Sequence, residues 1–174
     1  MADPRIARFT GPIASFVAMV AVVMGTAAVL FARKLGFAPA HVQAFYLGSE
    51  ATFAPPRSLA GLLEVAVPHL LAIPMMVFVT MHLVAFVNRA RRRPFAVVAG
   101  VTSTCAAVVI AGGFAIRFAW PQLAPVKVVA FLGLEGAMLT WLGLLVAAIL
   151  PRAPDAARPG AVTGSEGVPT RAAR

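Results

Sequence analysis

Three histidines are the residues of this chain best suited to chemistry, because imidazole binds metals and carries protons near neutral pH. His69 and His82 lie in one apolar segment, from Ser58 to Val87, and His41 lies in the more polar stretch before it. An ionisable group inside a membrane span is costly, so each one is a candidate functional residue. Histidines on membrane helices ligate haem iron, relay protons or hydrogen-bond to neighbouring helices.

His69 and His82 are thirteen residues apart, about 20 Å along a helix that rises about 1.5 Å per residue. A membrane-spanning helix would therefore carry one imidazole near each surface. This placement resembles the paired histidines of membrane b-type cytochromes, in which histidines on one helix hold two haems stacked across the bilayer. The resemblance implies haem b, one or two molecules, with His69 and His82 as iron ligands. Thirteen residues turn a helix by about 220°, so the rings are out of phase, and Pro74 between them is expected to bend the helix.

Each six-coordinate haem iron needs a second axial ligand, and the chain offers few candidates. His41 would pair with His69 if its loop folds back toward the span. For His82, either Met19 in the first apolar segment or an imidazole from a second subunit would serve. If no such pair forms, the histidines act only as hydrogen-bonding groups.

Two acidic residues lie in or beside apolar segments. Glu135 falls inside the last one, where a carboxylate must be protonated, paired or turned toward a polar cavity. We therefore expect Glu135 to face the interior of the protein, with one of three alternative partners: His69, Arg117 or Lys127. Glu64 follows Arg57 by seven residues, on nearly the same face of a helix, which predicts an ion pair at the membrane interface.

The composition is that of a membrane protein. Hydrophobic residues make up 60% of the chain and charged residues 12%, against about a quarter charged in soluble domains. The net charge is +9, but the basic residues flank apolar segments, a pattern of membrane topology that argues against a nucleic-acid partner. Cys105 is the only cysteine, so disulfides and thiol-pair motifs are excluded within the chain. Phosphate-binding, nucleophile-elbow and zinc motifs do not occur, so we expect no catalysis by the chain alone, although it would fit a subunit of an oxidoreductase.

Four apolar segments each reach the ~20 residues that a helix needs to cross a bilayer. They predict spans over residues 12–31, 58–87, 94–116 and 126–150. Because the segments lack the alternation of barrel strands, the expected fold is all-α, an integral membrane four-helix bundle within residues 1–150. The first segment has features of a signal peptide, but its length and the basic residues after it favour a span. Residues 151–174, rich in proline and glycine, are predicted to form a disordered cytoplasmic tail.

The basic residues also predict the orientation. Eight lie near the spans on the side of the two termini and five on the other side, which predicts cytoplasmic termini in a plasma (inner) membrane. The alanine, arginine and proline content is typical of a GC-rich bacterial genome. In the first outer loop, Pro39 is expected to open a short helix whose apolar face lies on the outer leaflet. Small residues four apart predict a packing face on the third span: Ala99, Ser103, Ala107 and Ala111.

Two functions from different classes remain. The first is a membrane subunit of a respiratory-type electron-transfer complex, which carries haem b and passes electrons between a quinone pool and a partner. The second is a cofactor-free anchoring subunit that packs against other membrane subunits or a second copy of itself. The placement of the histidines favours the first, and the missing second ligands favour the second. A proton path through Glu135 and His69 is a third, less developed hypothesis.

Overall fold

The computed structural model describes residues 4–85 and 92–149. Within these ranges the chain forms five α-helices, with short 3-10 turns at Glu50–Thr52 and Pro121–Leu123 and no strand beyond one isolated bridge. The helices are α1 (Pro4–Lys34), α2 (Pro39–Leu47), α3 (Leu59–Ala85), α4 (Arg92–Phe118) and α5 (Ala124–Ile149). All except α2 are long and apolar enough to cross a membrane. The predicted all-α architecture with four long helices is confirmed, whereas the cytoplasmic side of the termini stays a prediction, and the predicted tail lies outside the described residues.

Glycines end the first two helices. The N–H groups of Leu35 and Gly36 both donate to the carbonyl of Phe31, and Gly36 has φ +67°, as expected of a left-handed helix terminus. Gly48 ends α2 with φ +86°, and a Cβ there would lie 2.6 Å from the carbonyl oxygen of Ala54. Only glycine fits this turn, because a side chain would meet both backbone strain and a rigid neighbour.

The next helix starts with a side-chain cap. The Ser58 hydroxyl accepts a hydrogen bond of 3.1 Å from the N–H of Gly61, as expected of a serine that caps the start of a helix. Two prolines, Pro68 and Pro74, lie inside α3, yet the helix continues through both.

The four long helices are not equally close to one another. α4 and α5 form the central pair, α3 packs against α4, and α1 packs against α5, while α1 and α3 hardly touch. α2 lies across one end of the bundle and contacts α4 and α5. We call this the α2 end and the opposite one the terminal end. Val42 and Tyr46 of α2 are buried, so the apolar face that was expected to lie on the leaflet instead packs on the bundle.

α4 and α5 are the most extensively packed pair of helices, and the buried small residues of α4 differ from the predicted ones. Thr102, Ala106 and Gly113 are buried, whereas Ser103, Ala107 and Ala111 are exposed and Ala99 is half-buried against neighbouring side chains. Three of the four residues of the predicted packing face are therefore not used within the chain, because the buried row lies one position away around the helix. Lipid and protein interior are both apolar, so the sequence pattern does not distinguish the two rows.

Two buried clusters fill the bundle. The cluster at the terminal end contains side chains from α1, α4 and α5, with methionines of α3 packed against it; its buried members are Val20, Met24, Phe95, Met138 and Trp141. The cluster at the α2 end joins α2, α4 and α5 to the start of α3 and the end of α1, and includes Phe31, Val42, Tyr46, Leu62, Ile116 and Phe131. Beside this second cluster the space between α1 and α3 is open.

Candidate functional site

A cavity of about 480 Å³ occupies the α2 half of the bundle. α1 and α3 form its two sides, α4 and α5 its back, and α2 its end. Its volume lies within the range of about 300–1,000 Å³ that is usual for small-molecule sites. Since α1 and α3 hardly touch, the cavity lies in the gap between them and is accessible from the side of the bundle.

Most of the cavity wall is apolar. Phe31 of α1 and Phe131 of α5 stack with ring centroids 3.8 Å apart and planes inclined by 9°, which gives the wall a rigid aromatic element. Six polar side chains interrupt the apolar surface: Lys34, Tyr46, Arg57, Glu64, His69 and Lys127. An apolar cavity with a few convergent polar groups is the usual form of a binding site.

His69 is the sequence-predicted ligand that the structure places in this cavity. Its Nδ1 lies 2.7 Å from the carbonyl oxygen of Val65, one helical turn earlier. Because a carbonyl only accepts hydrogen bonds, Nδ1 is the donor, so Nε2 is the ring atom that could bind a metal ion when the ring is neutral. A backbone carbonyl that fixes the tautomer in this way is the usual support for a metal-ligating histidine.

Among the charged side chains whose burial the structure describes, Lys127 is the most deeply buried, with 5% of its surface exposed. Its Nζ donates a hydrogen bond to the carbonyl of Val109 and lies 5.3 Å from the ring centroid of Tyr46. The side chain packs against Gly112 on α4, where a Cβ would be in ordinary van der Waals contact with it at 3.7 Å. Within the described ranges Lys127 has no acidic partner.

Tyr46 lies beside Lys127 and packs against Gly113, where a Cβ would be 3.4 Å from the tyrosine ring. Burial raises the pKa of Tyr46 to about 12, although the positive charge of Arg57 opposes this shift. At physiological pH the phenol is therefore protonated and available as a hydrogen-bond donor.

Arg57 joins the loop before α3 to the rest of the α2 end. Its N–H donates to the carbonyl of Tyr46 at 3.0 Å, and its own carbonyl accepts from Nε of Arg117 at 2.8 Å. Its guanidinium lies over the ring of Phe45, 4.2 Å from the centroid. Arg57 and Glu64 both line the cavity but form no ion pair there, so that prediction is wrong: Arg57 is held by α2 and the aromatic ring instead.

The remaining candidate residues lie elsewhere. His82 is exposed near the other end of α3, stacked 6.1 Å from the ring of Phe78, and the cavity does not reach it. His41 is exposed on α2 and does not line the cavity with His69. Met19 is 70% exposed on α1. Glu135 is half-buried on α5, outside the cavity and without a hydrogen bond or ion pair to the described residues.

The structure therefore gathers His69 and Glu64 with residues that the sequence analysis did not assign to a site. Lys34, Tyr46 and Lys127 come from three different helices and meet only through tertiary packing. The neighbouring Gly112 and Gly113 are a sequence signal that was available, since paired glycines in an apolar helix indicate close approach by another group. In the described parts of the chain, no three side chains among His, Cys, Asp and Glu are grouped to hold a metal ion.

Comparison with known families agrees with this architecture. Residues 36–155 match the model of a transmembrane helical domain family, Aq_1264_TM. The chain belongs to this family. The Aq_1264_TM match covers α2 to α5 and most of the polar residues of the cavity, and with the four apolar helices it identifies a multi-pass membrane protein in contact with lipid. No curated protein and no solved structure matches the chain significantly.

Proposed function

We propose that this membrane protein is a haem-binding subunit of an electron-transfer complex, with His69 as an iron ligand in the cavity between α1 and α3. The observation that supports the proposal is the hydrogen bond from Nδ1 of His69 to the carbonyl of Val65, at the wall of an apolar cavity of about 480 Å³. When bound, haem b supplies a one-electron couple suited to exchange between a quinone pool and a partner subunit.

The residues of the cavity fit haem with one histidine ligand better than two stacked haems. The carbonyl of Val65 fixes the orientation of the His69 ring, and the stacked Phe31 and Phe131 keep water from the apolar wall. His82 lies beyond the cavity, so among the described histidines only His69 could hold a haem in this space. The second axial position at His69 would fall to another group of the cavity or to a partner subunit.

A cofactor-free anchoring subunit is the second candidate. It is favoured by the exposed small residues of α4, Ser103, Ala107 and Ala111, since small residues on a lipid-facing helix allow close approach by a partner helix. On this hypothesis the histidines make only hydrogen bonds.

An absorption spectrum of the full-length protein, purified from haem-replete cells in oxidised and reduced forms, separates the two candidates. We expect a Soret band with split visible bands, which His69→Ala abolishes or strongly shifts, and which His41→Ala changes less. His82→Ala is the matched control, because His82 is on the same helix but outside the cavity. A colourless wild-type protein would contradict the haem proposal and leave the anchoring role. Equal losses in His69→Ala and His82→Ala would contradict the assignment of the ligand to the cavity.

A further inference from the structure

Lys127 is a buried cation for which the described residues provide no counter-ion. Its ammonium group makes one hydrogen bond, to the carbonyl of Val109, and faces the ring of Tyr46. A charged group inside a membrane span is stable only when it is paired or reaches a polar cavity. Lys127 lines the cavity, so an acidic partner in the open space can reach it.

The charged residues that line the cavity have an excess of positive charge. Three cations line the cavity: Lys34 on α1, Arg57 in the loop before α3, and Lys127 on α5. Glu64 is the one acidic residue among the lining residues. None of the three cations forms an ion pair with a described residue. Lys127 is buried, whereas Lys34, Arg57 and Glu64 are exposed. Three cations against one carboxylate favour a ligand with negative charge at the α2 end.

We propose that the cavity binds an amphiphile whose acidic head group is the counter-ion of Lys127, with Lys34 and Arg57 beside it and the apolar body between α1 and α3. This inference rests on the cavity being a ligand site, as proposed above, but it does not require the ligand to be haem. The carboxylates of haem and the phosphate of an anionic phospholipid share the required chemistry. Both also have an apolar body that suits the aromatic wall.

The test uses pairs of ligands that differ only in charge, added to the delipidated full-length protein in detergent. Haem is compared with its dimethyl ester, and phosphatidylglycerol with phosphatidylcholine, by equilibrium binding and native mass spectrometry. Lys127→Met removes the charge at similar volume, and we expect it to weaken binding of the acidic ligand by about tenfold or more. The melting temperature without ligand should stay equal or rise, because an unpaired buried charge has been removed.

A second pair of variants avoids the buried position. Lys34 lines the cavity and its exposed neighbour Arg33 does not, so Lys34→Gln and Arg33→Gln change the net charge equally at adjacent positions. We expect Lys34→Gln to weaken binding of the acidic ligand and Arg33→Gln to leave it unchanged. This comparison holds even if Lys127→Met does not fold.

The outcomes separate this inference from the proposed function. Binding of haem but not of its ester supports both, whereas binding of phosphatidylglycerol without haem supports an anionic site and removes the haem proposal. The inference is overturned if acidic and neutral ligands bind equally, if no acidic ligand binds, or if the Lys127 and Lys34 variants both bind like the wild-type protein.

Discussion

The terminal half and the α2 half of the bundle use the same four helices but differ in how completely they fill the space between them. At the terminal end, Phe95 and Trp141 are 1% and 2% exposed, and a gap beside Trp141 holds only about 10 Å³. At the α2 end, α1 and α3 separate around about 480 Å³. The closed half is therefore filled by packed side chains, and the open half contains a cavity within the size range of small-molecule sites.

The polar groups of the two halves differ in the same way. In the closed half, the buried hydroxyls of Thr80 and Thr102 donate to carbonyls four residues earlier in their own helices, at 2.9 and 2.8 Å. They are satisfied locally and need no other helix. In the open half, His69 and Lys127 come from different helices and converge on one cavity. Both halves contain polar residues, but among the described residues only in the open half do polar side chains from different helices meet at one cavity.

The largest effect should come from removing an aromatic ring in the closed half. Phe95→Ala should lower the free energy of unfolding by about 3–5 kcal/mol, because the cavity left behind cannot collapse in a close-packed cluster. Phe114→Ala should cost less than half as much, since Phe114 already borders the open cavity. Denaturant titration of both variants in detergent measures the difference. Equal losses would mean that the two halves do not differ in packing.

A glycine in each half gives the next comparison. Gly48→Ala should cost about 1–3 kcal/mol, because φ is +86° and the new Cβ would meet the carbonyl of Ala54. Gly100→Ala, in the middle of α4 with no atom within 4 Å of its Cβ, should stabilise the protein by up to about 1 kcal/mol. Melting temperatures of the two variants should therefore move in opposite directions. A shift in the same direction would contradict the described turn at Gly48.

Tyr46 offers a pH-dependent probe of the α2 half, since it is the only tyrosine of the chain. Its pKa is raised from 10.0 to about 12. Between these two pH values, the folded state keeps a phenolic proton that the unfolded state has lost. The stability from this group is complete below pH 10 and is lost as the pH rises toward about 12. The tyrosinate ultraviolet band should appear near pH 12 in the folded protein and near pH 10 after denaturation. Titration near pH 10 in the folded protein would mean that α2 does not bury this ring.

The smallest effect is expected at Glu135, which lies between the halves without a partner in the described ranges. Glu135→Gln should keep the fold within about 0.5 kcal/mol, and Glu135→Leu should be equally or more stable, because it removes a carboxyl group without a described partner from a membrane span. Thermal unfolding of the two variants checks this. A large loss in Glu135→Leu alone would indicate a polar partner from another subunit.

Much of the fold follows from the sequence because twenty consecutive apolar residues permit only a membrane helix. The packing of those helices does not follow so directly: in α4 the row through Ala107 and the row through Ala106 look alike, and only the second is buried. Among the site residues, His69 was predictable because imidazole is rare in such spans. Lys127 was assigned only as a partner for Glu135, since its contacts with Val109 and Tyr46 depend on neighbours distant in sequence.

The two prolines of α3 have a consequence for the size of ligand that the protein accepts. Proline has no N–H, so Pro68 and Pro74 leave the carbonyls of Glu64 and Leu70 without their helical hydrogen bonds. A helix that lacks two such bonds within two turns bends more easily than an uninterrupted one. Pro68 itself lines the cavity, and α1 does not brace this wall. We therefore expect α3 to tilt outward or inward with the thickness of the bound molecule, while α4 and α5 keep their positions.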